Sequence, residues 1–165
     1  IIKQDGSIVT VPTSYFNFGY DQSILQKTHE TVVSATFKLQ KISDKDILWK
    51  RAHEVLSYRN ATQPIGKFSA GCTFRNIAQS DALRLATPNH TTSAGFLVDQ
   101  VNLKGFVHGG ASFSDKHANF IINDGTAHAD DVTALIKEAQ RRVQERFSVV
   151  IKPEIVVVEE TYGNT

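Results

Sequence analysis

The only cysteine of the chain, Cys72, lies in residues 69–76, SAGCTFRN, beside a glycine and a short polar run. A thiol titrates near ~8.5, so Cys72 could give or accept a proton close to neutral pH. Arg75 and Asn76 follow it and offer hydrogen-bond donors to an anionic ligand. Taken alone, however, a single cysteine is more often a small buried hydrophobic side chain.

A second candidate acid is Glu154, which follows Pro153 and precedes the apolar residues 155–158. This pattern predicts a buried strand with Glu154 at its mouth, where partial desolvation would suit a carboxyl group to acid or base catalysis. A solvated carboxylate at the start of a strand is the alternative. The sequence by itself leaves both open.

Histidines and glycines carry weaker signals. His108, His117 and His128 are nine and eleven residues apart on different predicted elements. This spacing matches no metal motif, so we expect hydrogen-bonding or capping roles and no metal site. The pair Gly109 and Gly110 has no phosphate-binding spacing and no helix directly after it, which favours a tight turn over a phosphate cradle.

Composition limits the possible partners. The 165 residues suit one domain, or one domain and part of another, and 18 basic against 17 acidic side chains give a net charge of +1. Neither a nucleic-acid partner nor a membrane span is expected, because basic residues are scattered and no apolar run reaches about 18 residues. One cysteine excludes an internal disulfide and fits a reducing compartment. Because the chain begins at Ile1 and enters a predicted hairpin at once, we expect a fragment or processed product.

The pattern of the first half predicts strands and then a helix. Residues up to about Ile42 are β-rich, with a hairpin over residues 2–11 and a strand over residues 31–39. A helix follows Ser43 and fades near residues 59–60. Residues 61–68 form a linker to the cysteine segment.

The second half predicts a mixed, α+β arrangement. After a loop with one helical turn at residues 81–85, Ser93 begins a short helix for which Gly105 supplies the left-handed end. A strand-turn unit and a buried strand, at residues 106–113 and 118–123, precede a long helix with one apolar stripe from Val132 to Phe147. Residues 155–158 form the last strand, before a polar tail over residues 161–165.

Together these segments resemble the UDP-N-acetylenolpyruvoylglucosamine reductase family, also called UDP-N-acetylmuramate dehydrogenases. The resemblance covers most of the chain, as five motifs in order. They are FGY at 18–20, QP at 63–64 leading into SAGCTFRN, SAGFLVDQ at 93–100 with LKG at 103–105, GGA at 109–111 with SDKHANFIIN at 114–123, and PEI at 153–155.

The resemblance implies two parts. Residues 1–42 would be the closing strands of a truncated FAD-binding domain, and residues 43–165 a C-terminal substrate-binding domain of mixed helices and a small sheet. The cofactors implied are FAD and NADPH, whose binding residues lie in upstream motifs and are not assigned within this chain. A cytoplasmic flavoprotein oxidoreductase of cell wall biogenesis is implied, with the roles in cell shape and division that follow.

In this family NADPH reduces FAD, and the flavin N5 passes hydride to the enolpyruvyl carbon of UDP-N-acetylglucosamine enolpyruvate. The product is UDP-N-acetylmuramate, a peptidoglycan precursor. By resemblance Cys72 is the proton donor, where many relatives have serine, and Glu154 is the catalytic carboxylate. The implied substrate-binding residues are Asn76, Arg75, His117, Lys116 and Arg59.

One position departs from the family pattern. Relatives usually carry an arginine directly after the FGY motif, whereas this chain has Asp21. A charge pair ~4 Å apart is worth about 4 kcal/mol at an effective dielectric of ~20, so the reversal matters. Either Arg59, Lys67 or Arg75 replaces that charge, or Asp21 points away, or activity is reduced.

Three functions therefore remain open. The first is the reductase, present as a fragment that we expect to be inactive alone. The second is a UDP-sugar-binding module without redox activity, because the flavin half is absent. The third and weakest makes Cys72 a nucleophile paired with His117.

Overall fold

The computed structural model describes residues 1–158, so the tail predicted from Thr161 lies outside the described residues. The chain divides into two compact units, Ile1–Lys45 and a second that begins at Asp46. The division falls three residues after the domain boundary expected at Ile42. The functional assignment of the two parts stays a prediction.

The first unit contains turns and short helices, with the helix α1 at Leu25–Thr28 after a 3-10 turn at Thr13–Phe16. The predicted hairpin forms around Gly6, where the backbone N–H of Lys3 donates to the carbonyl of Ser7 at 2.9 Å. The predicted strand over residues 31–39 is wrong. Within residues 1–158 only Thr31 of this stretch forms a bridge, because alternating apolar residues become a strand only beside a partner strand.

The helix α2 spans Lys45–Thr62 and confirms the helix predicted after Ser43, although it continues beyond residues 59–60. None of its residues is buried. Its apolar side chains, such as Trp49 and Leu56, are exposed. The helical spacing therefore predicted the conformation of this segment but not a buried face.

The core of the second unit lies between the long helix and a small sheet. The strands β1 (Val107–His108), β2 (Ala111–Phe113) and β3 (Ile121–Asn123) form an antiparallel sheet in that order. The last helix, α5, spans Ala129–Phe147 and packs against β1 and β2. The predicted apolar stripe is confirmed, since its central members are buried: Leu135, Ile136, Ala139 and Val143.

Two short helices complete this unit, α3 at Gln79–Ala82 and α4 at Ala94–Gln100. The Oγ of Ser93 accepts the N–H of Phe96 at 3.2 Å, which confirms Ser93 as the cap of α4. The left-handed residue after α4 is Asn102, with φ of 56°, and not Gly105. Gly105 also has positive φ but lies in the following turn, because α4 ends earlier than the apolar spacing indicated.

The pair Gly109 and Gly110 forms the predicted tight turn between β1 and β2. A Cβ on Gly110 would collide with the backbone nitrogen of Ala127, so glycine is required there. The carboxylate of Asp131 accepts the N–H of Gly110 at 3.3 Å and that of His128 at 2.9 Å. The carboxylate of Asp131 therefore links this turn to the start of α5.

The predicted strand over residues 155–158 is also wrong, since the structure assigns no strand there. Val156 and Val158 are 85% and 86% exposed. Pairing stops just before this segment, with a bridge from Pro153 to Phe74. The run of valines gave a strand pattern, but backbone pairing depends on neighbours that this pattern does not encode.

We expect replacement of Leu135 to show how much this core contributes. Leu135 is fully buried, so Leu135→Ala should lower the free energy of unfolding by about 2–5 kcal/mol. The matched change Leu83→Ala, at a leucine that is 58% exposed, should cost no more than about 0.5 kcal/mol. Urea denaturation of both variants measures the difference, and equal losses would contradict this placement of the core.

Candidate active site

Cys72 lies in an extended segment that pairs with the chain on both sides. On one side Cys72 forms an antiparallel bridge with Phe120. The next residue, Thr73, donates its N–H to the carbonyl of Asn119 at 2.7 Å. The cysteine segment and the segment leading into β3 are therefore adjacent in space although far apart in sequence.

On the other side the same segment pairs with the residues around Glu154. Phe74 forms an antiparallel bridge with Pro153, and the N–H of Glu154 donates to the carbonyl of Thr73 at 2.8 Å. Glu154 itself is exposed, so of the two alternatives that the sequence left open the solvated carboxylate is the one found. The backbone pairing, rather than a buried strand, brings Glu154 next to the segment that carries Cys72.

The thiol of Cys72 keeps its proton at neutral pH. Its pKa is raised first by burial and second by the negative charge of Glu154, while a hydrogen bond from Asn119 acts in the opposite direction. A protonated thiol can donate a proton, whereas a nucleophilic cysteine needs a lowered pKa. This environment suits general acid chemistry better than the nucleophile paired with His117.

Asn119 is the buried polar residue at the centre of this arrangement. Its Oδ1 accepts the N–H of Phe74 at 2.9 Å, and its Nδ2 donates to the carbonyl of Phe74 at 2.8 Å. Both ends of the amide are thus bound to one residue of the cysteine segment. From sequence Asn119 is one of four polar residues that border predicted strands, with Asn76, Lys116 and His117, but it was not among the substrate-binding residues that the resemblance implies.

The imidazole of His117 lies beside Asn119 and is half-buried. Its Nδ1 accepts the backbone N–H of Asn119 at 3.2 Å, and its ring is 5.0 Å from that of Phe120. A Cβ on Gly95 would lie 2.9 Å from the His117 Cε1, so this glycine makes room for the ring. His117 therefore lies next to the segment that pairs with Cys72, and its predicted role in substrate binding stays a prediction.

The charge state of His117 follows from its surroundings. Burial lowers its pKa, and the positive charge of Lys104 lowers it further. Lys104 pairs with Asp99 at 2.9 Å and was not among the predicted site residues. His117 is therefore neutral at pH 7, and with Nδ1 accepting a bond its Nε2 carries the hydrogen.

Asn76 and Arg75 are both exposed. The Oδ1 of Asn76 accepts the N–H of Ala94 at 3.3 Å, which links it to the first residue of α4. The N–H of Arg75 donates to the carbonyl of Lys152 at 2.9 Å. Both residues therefore lie shortly after Cys72 on a backbone segment that pairs with residues 152–154.

Lys116 contacts the last turns of α2, the helix that carries Arg59. The Nζ of Lys116 donates to the carbonyl of Asn60 at 2.9 Å, and the Nε of Arg59 contacts Oε1 of Gln63 at 3.4 Å. The backbone of Lys116 is fixed by the buried Ser114, whose Oγ accepts its N–H at 3.1 Å. Lys116 thus joins the end of α2 to the turn that carries His117.

Asp21 belongs to the first unit, whereas the other candidate residues belong to the second. It lies in a tight turn closed by pairing between Gly19 and Gln22, with a left-handed φ of 52°. Gln26 donates from Nε2 to its carbonyl at 3.1 Å. The sequence departure at Asp21 is therefore set in a defined turn.

A cleft of about 250 Å³ adjoins the cysteine segment. Because successive side chains of an extended segment face opposite ways, Thr73 lines this cleft and Cys72 does not. The lining residues are Phe68, Ser69, Ala70, Gly71, Thr73, Ile121, Asn123, Val132 and Ile155. The thiol and the cleft thus lie on different faces of the segment.

No three side chains among the described histidines, cysteines, aspartates and glutamates are grouped to hold a metal ion. No helix within residues 1–158 has the length and apolar character needed to cross a bilayer.

Comparison with known proteins agrees with the sequence resemblance. The family model for the C-terminal domain of UDP-N-acetylenolpyruvoylglucosamine reductase matches residues 63–158. The chain belongs to this family. Named reductases of the family include that of Trichormus variabilis, 36% identical over 160 residues, which are 97% of this chain and 45% of the relative. That of Bacillus pumilus is 37% identical over 161 residues, 97% and 49% of the two chains.

A solved structure extends the comparison to the fold. The UDP-N-acetylenolpyruvylglucosamine reductase of Thermus caldophilus aligns with a TM-score of 0.70 at 34% identity, over 93% of this chain and 49% of that one. The predicted α+β fold class, with mixed helices and a small sheet, is confirmed. The chain spans about half the length of the curated relatives it matches.

The juxtaposition of Cys72 and Glu154 can be tested without any cofactor. Because the charge of Glu154 raises the pKa of the Cys72 thiol, Glu154→Gln should lower that pKa. The rate of Cys72 alkylation by iodoacetamide as a function of pH should therefore move to lower pH. The control Glu145→Gln, on the exposed side of α5, should leave the profile in place, and an unmoved profile in Glu154→Gln would contradict the proximity.

Proposed function

We propose that this chain is the substrate-binding and proton-donating part of a cytoplasmic, NADPH-dependent flavin reductase. Its substrate is UDP-N-acetylglucosamine enolpyruvate and its product UDP-N-acetylmuramate, for peptidoglycan synthesis. Family membership supports the reaction class. Because the chain spans about half of its relatives, the complete activity requires a flavin-binding half, and the chain alone is expected to be inactive.

The observation that carries this proposal is the protonated thiol of Cys72 beside Glu154. Reduction of the enolpyruvyl double bond adds a hydride to one carbon and a proton to its neighbour. A group that holds its proton at neutral pH and lies at the surface of a fixed segment suits the second step. Cys72 has these properties because burial and the charge of Glu154 keep its thiol protonated.

The reduced flavin, when bound, supplies the hydride. Cys72 supplies the proton: its S–H bond breaks as the new C–H bond forms, and the thiolate recovers a proton from water. The carboxylate of Glu154 lies next to this segment, where it can polarise the enol or relay the returning proton. These groups fit the acid half of the reaction, and we assign none of the described residues to FAD or NADPH.

The surrounding polar groups suit an anionic nucleotide sugar. Arginine and lysine side chains form charge-assisted hydrogen bonds to phosphate oxygens. We propose this role, toward the diphosphate and sugar, for Asn76, Arg75, Lys116, Arg59 and His117. As a neutral imidazole with hydrogen on Nε2, His117 donates to a substrate oxygen without adding charge.

Replacement of Cys72 tests the proton donor. In the complete protein Cys72→Ala should leave flavin reduction by NADPH intact and slow flavin reoxidation by the substrate about 10²–10⁴-fold, the usual contribution of a general acid. Stopped-flow absorbance separates the two half-reactions. Cys72→Ser keeps a donor and should recover part of the rate, while the distant Leu83→Ala serves as a control. Equal losses in both half-reactions would count against the assignment.

A second candidate, a UDP-sugar-binding module without redox activity, is favoured by one observation. Asp21 stands where the family resemblance expects an arginine that would stabilise negative charge. Such a module would bind the nucleotide sugar without a flavin. Isothermal titration of the 165-residue chain with the UDP substrate tests it, and no detectable heat at millimolar ligand would end this alternative.

A further inference from the structure

We propose that Asn119 is a positioning residue that holds the thiol of Cys72 and the imidazole of His117 for the same substrate. The inference rests on the proposed function, because it gives both groups a common ligand. Its basis is that one buried residue hydrogen-bonds to the segment of Cys72 and to the ring of His117.

The first step concerns the backbone that carries Cys72. The Asn119 side chain uses Oδ1 and Nδ2 on the N–H and carbonyl of Phe74, at 2.9 and 2.8 Å, and its main-chain carbonyl accepts the N–H of Thr73 at 2.7 Å. A buried amide must keep such partners, since an unsatisfied polar group is costly. Three bonds from one residue therefore fix the two residues that directly follow Cys72.

The second step concerns the sulfur itself. An asparagine Nδ2 has two hydrogens, and the carbonyl of Phe74 takes one of them. The other is available to Cys72, and the Asn119 side chain acts on this thiol as a hydrogen-bond donor, an effect that opposes the overall rise of the Cys72 pKa. A donor aimed at the sulfur stabilises the thiolate that remains once the proton has left. Asn119 thus eases the departure of the proton that burial and Glu154 retain.

The third step concerns His117. The backbone N–H of Asn119 donates to Nδ1 at 3.2 Å, which leaves Nε2 as the nitrogen that carries hydrogen. The ring is also confined by Gly95, where a Cβ would be 2.9 Å from Cε1. The charged groups that act on this pair of side chains are Lys104 at His117 and Glu154 at Cys72. Asn119 therefore determines which nitrogen of His117 is the donor, and it also holds the segment that carries the acid, Cys72.

The test compares Asn119→Ala with Asn123→Ala in the complete protein. Asn123 also accepts two backbone N–H groups through Oδ1, from Gly125 at 2.7 Å and Ala127 at 3.2 Å, but has no bond to Cys72 or His117. Alkylation of Cys72 by iodoacetamide is followed against pH by mass spectrometry of its peptide. The midpoint should rise by about one pH unit in Asn119→Ala, because a bond to the thiolate is lost, and stay in place in Asn123→Ala.

The outcomes separate positioning from general stability. If both variants lose stability and neither moves the alkylation midpoint, Asn119 is only structural and the proposal is overturned. If Asn119→Ala does not fold, Asn119→Ser gives the same test, because one hydroxyl hydrogen cannot serve both Phe74 and the thiolate. The unmodified protein supplies a further check by ¹⁵N NMR, where hydrogen on Nδ1 of His117 would contradict the proposal.

The experiments also distinguish a failure of the positioning role from a failure of the proposed function. If Cys72→Ala leaves flavin reoxidation unchanged, the proton donor is wrong, whereas a shifted midpoint in Asn119→Ala would still show that Asn119 acts on the thiol. If Cys72→Ala slows reoxidation but Asn119→Ala leaves both midpoint and reoxidation unchanged, the function stands and the positioning role fails.

Discussion

The two hydrogen bonds between the Asn119 amide and the backbone of Phe74 are the constraint on which the candidate site depends. Both partners are almost completely buried, so water cannot replace either bond. Leaving one such group unpaired costs about 1–3 kcal/mol, which is a large part of a small domain's stability. Through these bonds the segment of Cys72 is attached on one side to the residues that carry His117. Its opposite side remains available to pair with Glu154.

The geometry of the candidate site in turn depends on the apolar core. Phe74 is 1% exposed and belongs to the same hydrophobic cluster as Leu135 of α5 and Phe113 of β2. Its ring anchors a segment whose neighbouring residues, Arg75 and Asn76, are exposed. A fixed backbone with exposed polar side chains is what a binding site needs, because the ligand then meets groups that are already oriented. The packing of Phe74 in the core therefore also fixes the geometry of the candidate site.

The sequence predicted best what depends on nearby residues. The apolar stripe of α5, the cap at Ser93 and the turn at residues 109–110 are local patterns, and all three are confirmed. The strands over residues 31–39 and 155–158 failed because a strand requires a partner that its own residues do not specify. The same reason hid the partner of Asn119, because Phe74 is 45 residues away. Residue chemistry marked Cys72 and Glu154 as candidates, the family resemblance implied their catalytic roles, and those roles stay predictions.

In the proposed site, positive charge and proton transfer come from different side chains. His117 is held neutral by burial and by Lys104, so it does not supply positive charge at pH 7. In the proposed function that charge comes from the exposed side chains of Arg59, Arg75 and Lys116. In the proposed function proton transfer falls to Cys72, whose pKa is raised by burial and by Glu154 while the Asn119 side chain acts in the opposite direction. Such opposed influences would let the acid hold its proton before the reaction and still release it during the transfer step.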